Sequence, residues 1–525
     1  MNMQQLNRLI TTIKFLTCKQ IAYRLFYTLR NKLRYFKQYQ HKLLTASRAT
    51  TLTLQPSIHA YYSCDDNRFI FLNLSKTFDT TIDWNYPQYG KLWTYNLTYF
   101  DFLHQAKMNK EKGLGLIHNF IDQSASIHDG FEPFPISLRG INWIKFLVKH
   151  EISDVKINNS LFAQYHILLD NLEYHLLGNH LLENGFALLF GAYYFHDDSF
   201  YKTAKKILTA QLKEQILPDG AHFELSPMYH QIMLARVLDC INLLKNNIWK
   251  DKELLTLLVS KAQMMLGWLE AITYSDGTIP LLNDSANGIA PTTKELIQYA
   301  AHLDLRTQHL PLKESGYRKI AKETYECIVD VGNIGPDYIP GHAHSDTFNF
   351  ELHIDGKPII VDTGLSTYET NALRNTQRST ASHNTVMIDG KEQSEVWGGF
   401  RVARRAKIID LHEDVDWIEA THDGYKKIDA LHTRQFSFEN HKIIIQDSIQ
   451  SKTDHHCIAF LHLHPAVLVS INHDTAHIGR CSIIFAEYLK IELDTYQYAP
   501  EFNKLIPAAV IKISFTKNLT MEITL

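Results

Sequence analysis

The sequence predicts a multidomain α+β protein in which a helical half precedes a half built of antiparallel strands. Three observations predict it. Between about 92 and 305, apolar residues recur at helical spacing in segments too long for strands. After about 317 the texture changes to short runs rich in β-branched residues. A length of 525 residues also exceeds what one ordinary core holds. The change of period alone places the boundary near 306–325. With the basic N-terminal arm set apart by its charge, this gives a basic helical extension (1–85), a helical domain (86–315) and a strand-built domain (316–525).

In the first half, helices are expected at 114–124, 140–149, 160–177, 185–195, 198–216, 229–246 and 252–271, divided by short polar breaks as in packed helical hairpins. In the second half, FNFELHI (348–354), KPIIVDTG (357–364), NTVMIDG (384–390), KIIIQDSIQ (442–450) and SIIFAEYLKIEL (482–493) read as strands. Asp355-Gly356 separates two of these runs and Asp389-Gly390 ends another, as turns between antiparallel strands do. A β-sandwich or stacked sheets would bury such strands.

Composition narrows the class. Hydrophobic residues make up 45% and charged residues 21%, and no stretch approaches the roughly 20 apolar residues that span a bilayer. The net charge of -3 gives no reason to expect a nucleic-acid partner. It hides an asymmetry, because residues 1–50 carry ten Lys or Arg and no Asp or Glu. Leu6, Ile10, Ile13, Leu16, Ile21, Leu25, Leu29 and Leu33 recur there at roughly helical spacing. That pattern suits a helix on an anionic membrane surface or on a protein partner, and equally the basic face of a packed helix. No apolar stretch with a small-residue cleavage site follows the early basic residues, so a cytoplasmic rather than periplasmic location is expected, with or without membrane association. Six scattered cysteines without short spacing read as reduced thiols.

Three constellations carry possible chemistry. GNHLLENGFALLFGAYYF (178–195) sets Asn179, His180 and Glu183 at a helix start, with 180 and 183 on one face. An amide beside an imidazole can donate to a substrate carboxylate, and Glu183 can hold the imidazole in one tautomer; helix capping by Asn179 is the plainer reading. LPDGAHFELSPMYHQ (217–231) places Glu224, Tyr229 and His230 around the next helix start. A Tyr beside a His suits proton transfer, although a phenol of pKa about 10 needs neighbours that stabilise its phenolate; a half-buried structural aromatic is the alternative.

The third constellation is PGHAHSDTFNFELHIDGKPIIVDTG (340–364) with RSTASHNTV (378–386). His342 and His344 alternate by two, so on an extended backbone they point the same way. His344, Asp362 and His383 would make a three-ligand zinc set, although their spacing matches no short zinc motif. In LWTYNLTYFDFL (92–103) and FEPFPISLRGINWIKFL (131–147), Trp93, Tyr95, Tyr99 and Trp143 can stack on sugars and Arg139 can pair with a carboxylate or sulfate. Aromatics at helical spacing are more often core, as expected for Phe102 and Phe146 and, as the alternative to sugar stacking, for Trp143.

Taken together, these stretches resemble the heparinase II/III family of bacterial polysaccharide lyases. GHAHSD, VDTG and SHNTV look like the start of that family's C-terminal β domain, and WTYNLTYFDFL, PISLRGINW, NHLLENG and DGAHFELSPMYH stand in the order of its toroid-forming N-terminal domain. The resemblance covers about 85–450 and implies an N-terminal (α/α) incomplete toroid followed by a C-terminal antiparallel β-sandwich, with the active site in the cleft between them.

It also implies β-elimination, in which the C5 proton of a uronic acid is removed and the C4 oxygen expelled from an acidic polysaccharide. By this resemblance, Asn179 or His180 neutralises the C6 carboxylate, Tyr229 transfers protons and His342 is its partner. Glu183 supports the carboxylate-binding residues, with Arg139, Trp143, Tyr99, Glu224 and His230 as further substrate-binding candidates. His344, Asp362 and His383 would hold a mainly structural zinc. A role in producing or trimming surface polysaccharide, capsule or exopolysaccharide, is compatible. The rivals are a glycoside hydrolase using two of Glu183, Asp219, Glu224 and Asp284, and a non-catalytic glycan-binding or assembly protein.

Overall fold

The structure, a computed structural model, describes residues 3–39, 41, 44–46, 49–250 and 252–525. Lys42 and Arg48 of the basic arm lie outside the described residues. The arm forms two helices, α1 (Met3–Ile13) and α2 (Cys18–Phe36), the second opened by a capping box between Thr17 and Gln20. Further on, Cys64–Asp65, Arg68–Phe71 and Leu74–Thr77 form a small antiparallel sheet, so the extension is not helical throughout.

Among the described residues nine α-helices follow in the first half: α3 (Lys91–Tyr99), α4 (Lys110–Asp122), α5 (Pro133–Lys149), α6 (Val155–Asp170), α7 (Gly178–Phe195), α8 (Asp198–Gln215), α9 (Pro227–Asn246), α10 (Glu253–Ile272) and α11 (Thr293–His302). Their packing is that of an incomplete toroid. The odd-numbered helices neighbour one another in the order α3, α5, α7, α9, α11, while α4 packs on α6 and α8 on α10 outside them. An inner helix is covered on every side, and α7 accordingly reads as an almost continuous apolar run, buried at every position but His180. The expected helix at 160–177 ends at Asp170, because Leu172–Leu177 forms a tight non-helical link into α7.

The second half is an antiparallel β-sandwich whose main layer is an eight-stranded sheet. Its central strands show the period of two that one-sided burial requires: Ala430–Phe438 alternates strictly between buried and half-buried side chains. A four-stranded sheet (Lys490–Glu501, Lys504–Phe515, Cys457–His462, Val386–Ile388) and another (Tyr317–Ala321, Tyr325–Asp330, Phe350–Ile354, Lys357–Ile360) complete the core. Asp355 and Gly356, both at positive φ, make the predicted turn between the last two strands. The run 482–493 divides into two strands, Cys481–Ala486 and Lys490–Glu501, where Glu487 takes a left-handed conformation.

One buried ion pair ties the eight-stranded sheet to the loop before the site. Arg434 makes two bonds to Asp447, at 2.7 and 2.8 Å, and donates to the carbonyls of Phe348 and Asn384. Burial pushes the Asp447 carboxyl up, but Arg434 and His432 outweigh it and hold its pKa at about 2. A depressed carboxylate stabilises the fold above its unfolded pKa. Its contribution, about 2 kcal/mol, is therefore expected to vanish as pH falls from about 4 towards 2. Urea titrations across that window check this, with Asp447→Asn as the variant that loses the dependence.

Candidate active site

The site forms where four chain segments meet at the seam of the two halves. The first is the start of α7. Leu177 and Gly178 both take positive φ, which turns the chain sharply into the helix. A side chain at 178 would collide with Glu224, whose carboxylate oxygen lies 2.7 Å from where a Cβ would stand, so glycine is required on two counts. Glu224 caps this helix start: its carboxylate accepts from the Asn179 backbone N–H and from Asn179 Nδ2, each at 3.0 Å. Asn179 Oδ1 is buried with no protein donor.

The second segment opens α9, where Ser226 is the N-cap. Its hydroxyl accepts from Tyr229 N–H and donates to the Asp284 carbonyl at 2.7 Å, so the cap fixes Tyr229 relative to the 279–291 loop. The third and fourth are the loop carrying His342 and the short helix Ala372–Gln377 carrying Arg374. Asp284 joins them. It makes a two-pronged pair with Arg374 at 2.5 and 2.7 Å, and accepts from His342 Nδ1 at 2.9 Å and His344 Nε2 at 2.8 Å. Burial alone would raise the Asp284 carboxyl, but Arg374 and the two imidazoles outweigh it and hold it well below the usual range.

Around this hub the predicted residues converge. Asn179 Nδ2 lies 3.5 Å from His342 Nε2, and the rings of Tyr229 and His342 stack with centroids 3.9 Å apart. Tyr368 donates to the Tyr229 hydroxyl at 3.3 Å. Burial, aided by Asp284 and Glu224, holds the Tyr229 phenol well above its ordinary pKa despite Tyr368 and Arg374. A cavity of about 440 Å³ begins at Asn179, Tyr229 and Tyr368 and runs through the helical half past Tyr99 and Arg236. His180 stands beside it, 37% exposed, with its ring against Phe134.

Several expected roles are corrected. Glu183 does not hold the His180 ring: Glu173 does, at 3.0 Å from Nδ1, while Glu183 pairs with Arg236. Glu224 is a buried anchor for Asn179 rather than an exposed substrate contact. His230 is fully buried, accepting from the His222 N–H and facing the Met265 carbonyl, and burial pushes it down to about 4. Trp143 is core, edge-on to Phe100 and Phe120. Trp93 is core as well, as are Phe102 and Phe146.

Arg139 is fully buried on α5, donating to the Gln164 side chain and to the carbonyls of Thr98 and Gly130. Burial lowers its pKa to about 9. Arg139→Ala is therefore expected to destabilise the helical half by about 1–3 kcal/mol by stranding those acceptors, with KM unchanged in the folded fraction. Raised KM with an unchanged urea midpoint would instead assign it to substrate.

The zinc candidates lie together, with the His344 and His383 ring centroids 5.2 Å apart and His383 Nδ1 2.7 Å from Asp362. Among the described residues, no group of three or more His, Cys, Asp or Glu is arranged to hold a metal ion. Two of the three donors are nonetheless open to one, while Asp362 is engaged with His383 Nδ1. His344 Nδ1 and His383 Nε2 are buried without partners, and burial pushes His344 down to about 4, leaving it the neutral imidazole a metal needs.

Sequence reasoning missed Arg374, Tyr368, Glu173 and Arg236, and gave Asp284 only to the hydrolase reading. No local motif marks them, since Asp284 and Arg374 meet across 90 positions.

Known proteins share this architecture. A crystal structure of heparinase III superposes with a TM-score of 0.66 at 15% identity, over 95% of this chain and 89% of that one. The heparan sulfate lyase structure from Pedobacter heparinus gives 0.53 at 16%, over 87% and 81%. At such identities these likenesses carry the fold alone. In sequence, the chain is 26% identical over 320 residues to a heparin-sulfate lyase of Pedobacter heparinus, covering 54% of this chain and 46% of that protein. It is 23% identical over 252 residues to one of Bacteroides stercoris, covering 42% and 36%. The chain thus spans less than half the length of these curated relatives. The family descriptions "Heparinase II/III N-terminus" and "Heparinase II/III-like, C-terminal" match residues 71–305 and 305–524. With the toroid, the sandwich and the seam site all in place across those residues, the chain belongs to the heparinase II/III family.

Proposed function

We propose that the protein is a polysaccharide lyase that cleaves a uronate-containing glycan by β-elimination at the seam site. The observation that carries this reading is the convergence of Asn179, Tyr229 and His342 within reach of one monosaccharide. Removing a proton next to a carboxylate builds a second negative charge, so donors aimed at the carboxylate must come first. The partly exposed His180 serves there, with the second N–H of Asn179 Nδ2, the first being held by Glu224.

The ionised Asp284 lies 2.9 Å from His342 Nδ1 and fixes the ring, with Nε2 turned to Asn179 Nδ2 and Glu224 at 3.5 and 3.4 Å. His342 then takes the C5 proton. As the C4=C5 double bond forms and the C4–O bond breaks, Tyr229, held as a phenol by its burial, protonates the departing oxygen. If Tyr229 performed both transfers, His342→Ala would still turn over one uronate epimer.

The hydrolase reading has less support, because Asp219, Glu224 and Asp284 are each buried and engaged with protein donors. Digestion of an acidic glycan panel, capsular polymers included, is expected to produce the ultraviolet absorbance of an unsaturated uronate. New reducing ends without that absorbance reject the lyase.

The charges lining the cavity bear on the polymer. Besides histidines they are Asp101, Glu183, Asp239, Glu295 and Glu501 against Lys145 and Arg236, an excess of carboxylates that disfavours a densely charged polymer, whether its charge is sulfate or carboxylate. The curated relatives are heparin-sulfate lyases by name, which points to glycosaminoglycan-like polymers. This chain's substrate is accordingly read as a uronate polymer with few sulfates.

His344, Asp362 and His383 would hold a zinc ion, whose role is to brace the loop that presents His342. Stoichiometric zinc in purified protein and a lower melting temperature after chelation are expected. Metal-free protein whose melt ignores chelator rejects the ion.

A further inference from the structure

We propose that α1 and α2 form a membrane-facing surface that seats the protein on a layer of anionic lipid headgroups. α2 is packed inside out. Its protein-facing side is polar and aromatic, made of Gln20, Tyr23, Tyr27, Arg30 and Arg34, which recur every three or four residues on one face. These residues grip the link before α7. Gln20 donates to the carbonyls of Leu176 and Tyr338, Tyr27 to that of Leu172 and Arg30 to that of Asp170; Arg34 pairs with the Asp170 carboxylate and Tyr23 stacks on Tyr174.

The opposite side of α2 is apolar and bare. Leu25, Leu29 and Leu33 are 61%, 62% and 60% exposed, and Phe36 is 80% exposed. α1 adds Ile10 and Ile13 at 47% and 46%. A helix that only completes a fold turns its leucines inward; here hydrogen bonds do the docking and a row of leucines along a helix about 28 Å long faces outward.

Charge selects the occupant. Residues 1–50 hold ten Lys or Arg and no carboxylate, and Lys14, Lys32 and Lys37 are exposed on or beside these two helices. Two copies of such a surface repel each other, whereas phosphate headgroups attract it while the leucines enter the boundary with the acyl chains. Among the described residues, no helix is long and apolar enough to cross a membrane. The pair therefore lies along the surface. Through Gln20 the seat adjoins the two segments that run into Asn179 and His342.

The test is co-sedimentation of the full chain with vesicles of phosphatidylglycerol and phosphatidylethanolamine, against vesicles of phosphatidylcholine alone. Binding to the anionic vesicles, weakened by salt and far lower on the neutral ones, is expected. The triple variant L25S/L29S/L33S should bind on the order of tenfold or more weaker, with its thermal melt unchanged because those side chains fill no core. Replacing Lys14, Lys32 and Lys37 by Gln should weaken binding and flatten its salt dependence. Absence of binding to anionic vesicles overturns the proposal, as does undiminished binding by the leucine variant. A leucine-dependent dimer that ignores vesicles assigns the face to a second copy and overturns it too.

Discussion

Tyr229→Phe is expected to lower turnover by about 10²–10⁴-fold while leaving glycan affinity nearly intact. The ring stays: its stack on His342 needs only the aromatic face, and the half-buried site keeps its shape. What goes is the hydroxyl that receives a hydrogen bond from Tyr368 and, in the proposed mechanism, protonates the leaving oxygen. kcat and KM on a uronate polymer, with affinity measured separately by calorimetry, separate the two effects. Loss of affinity in step with turnover would make Tyr229 a binding residue, and unchanged turnover would support a glycan-binding protein in place of an enzyme.

Asp284→Ala is expected to be the most damaging single change to the fold around the site. It strands the fully buried Arg374 guanidinium and removes the acceptor of both His342 and His344. Removing one partner of such a pair costs about 3–5 kcal/mol, far more than the pair contributes when intact. Because Asp284 belongs to the helical half and its partners to the sheet half, the loss should appear as loosening of the seam: protease sensitivity in the 331–349 loop together with a lower urea midpoint. Asp284→Asn keeps the shape but not the charge, so it should fold better than the alanine variant and still lose most turnover, since His342 then lacks its ionised anchor. A wild-type urea midpoint for Asp284→Ala would show that the hub is not a clamp.

The fold was largely legible in the sequence because each half has its own period. α7 and Ala430–Phe438 announce themselves, one by an unbroken apolar run and the other by strict alternation. α11 went unseen although Thr292 and Glu295 spell a capping box, since it is only ten residues long. The convergence of Asn179, Tyr229 and His342 was legible only through the family resemblance of the motifs that carry them, since spacing alone favoured a helix cap and a structural aromatic. Burial was not legible. Arg139 and His230 look like site residues by type, yet α5 and α9 belong to the inner ring, where a polar side chain is taken up by protein carbonyls. The clamp made by Asp284 and Arg374 was hidden for a related reason: long-range charge pairing leaves no periodic trace.

The central claim is that the glycosidic oxygen leaves by elimination and not by attack of water. Mass spectrometry of the products of digestion in heavy-oxygen water tests it most directly. The fragments are expected to take up no solvent oxygen at the cleaved bond and to end in an unsaturated uronate. A heavy oxygen at the new reducing end, with a saturated sugar at the new non-reducing end, would contradict it.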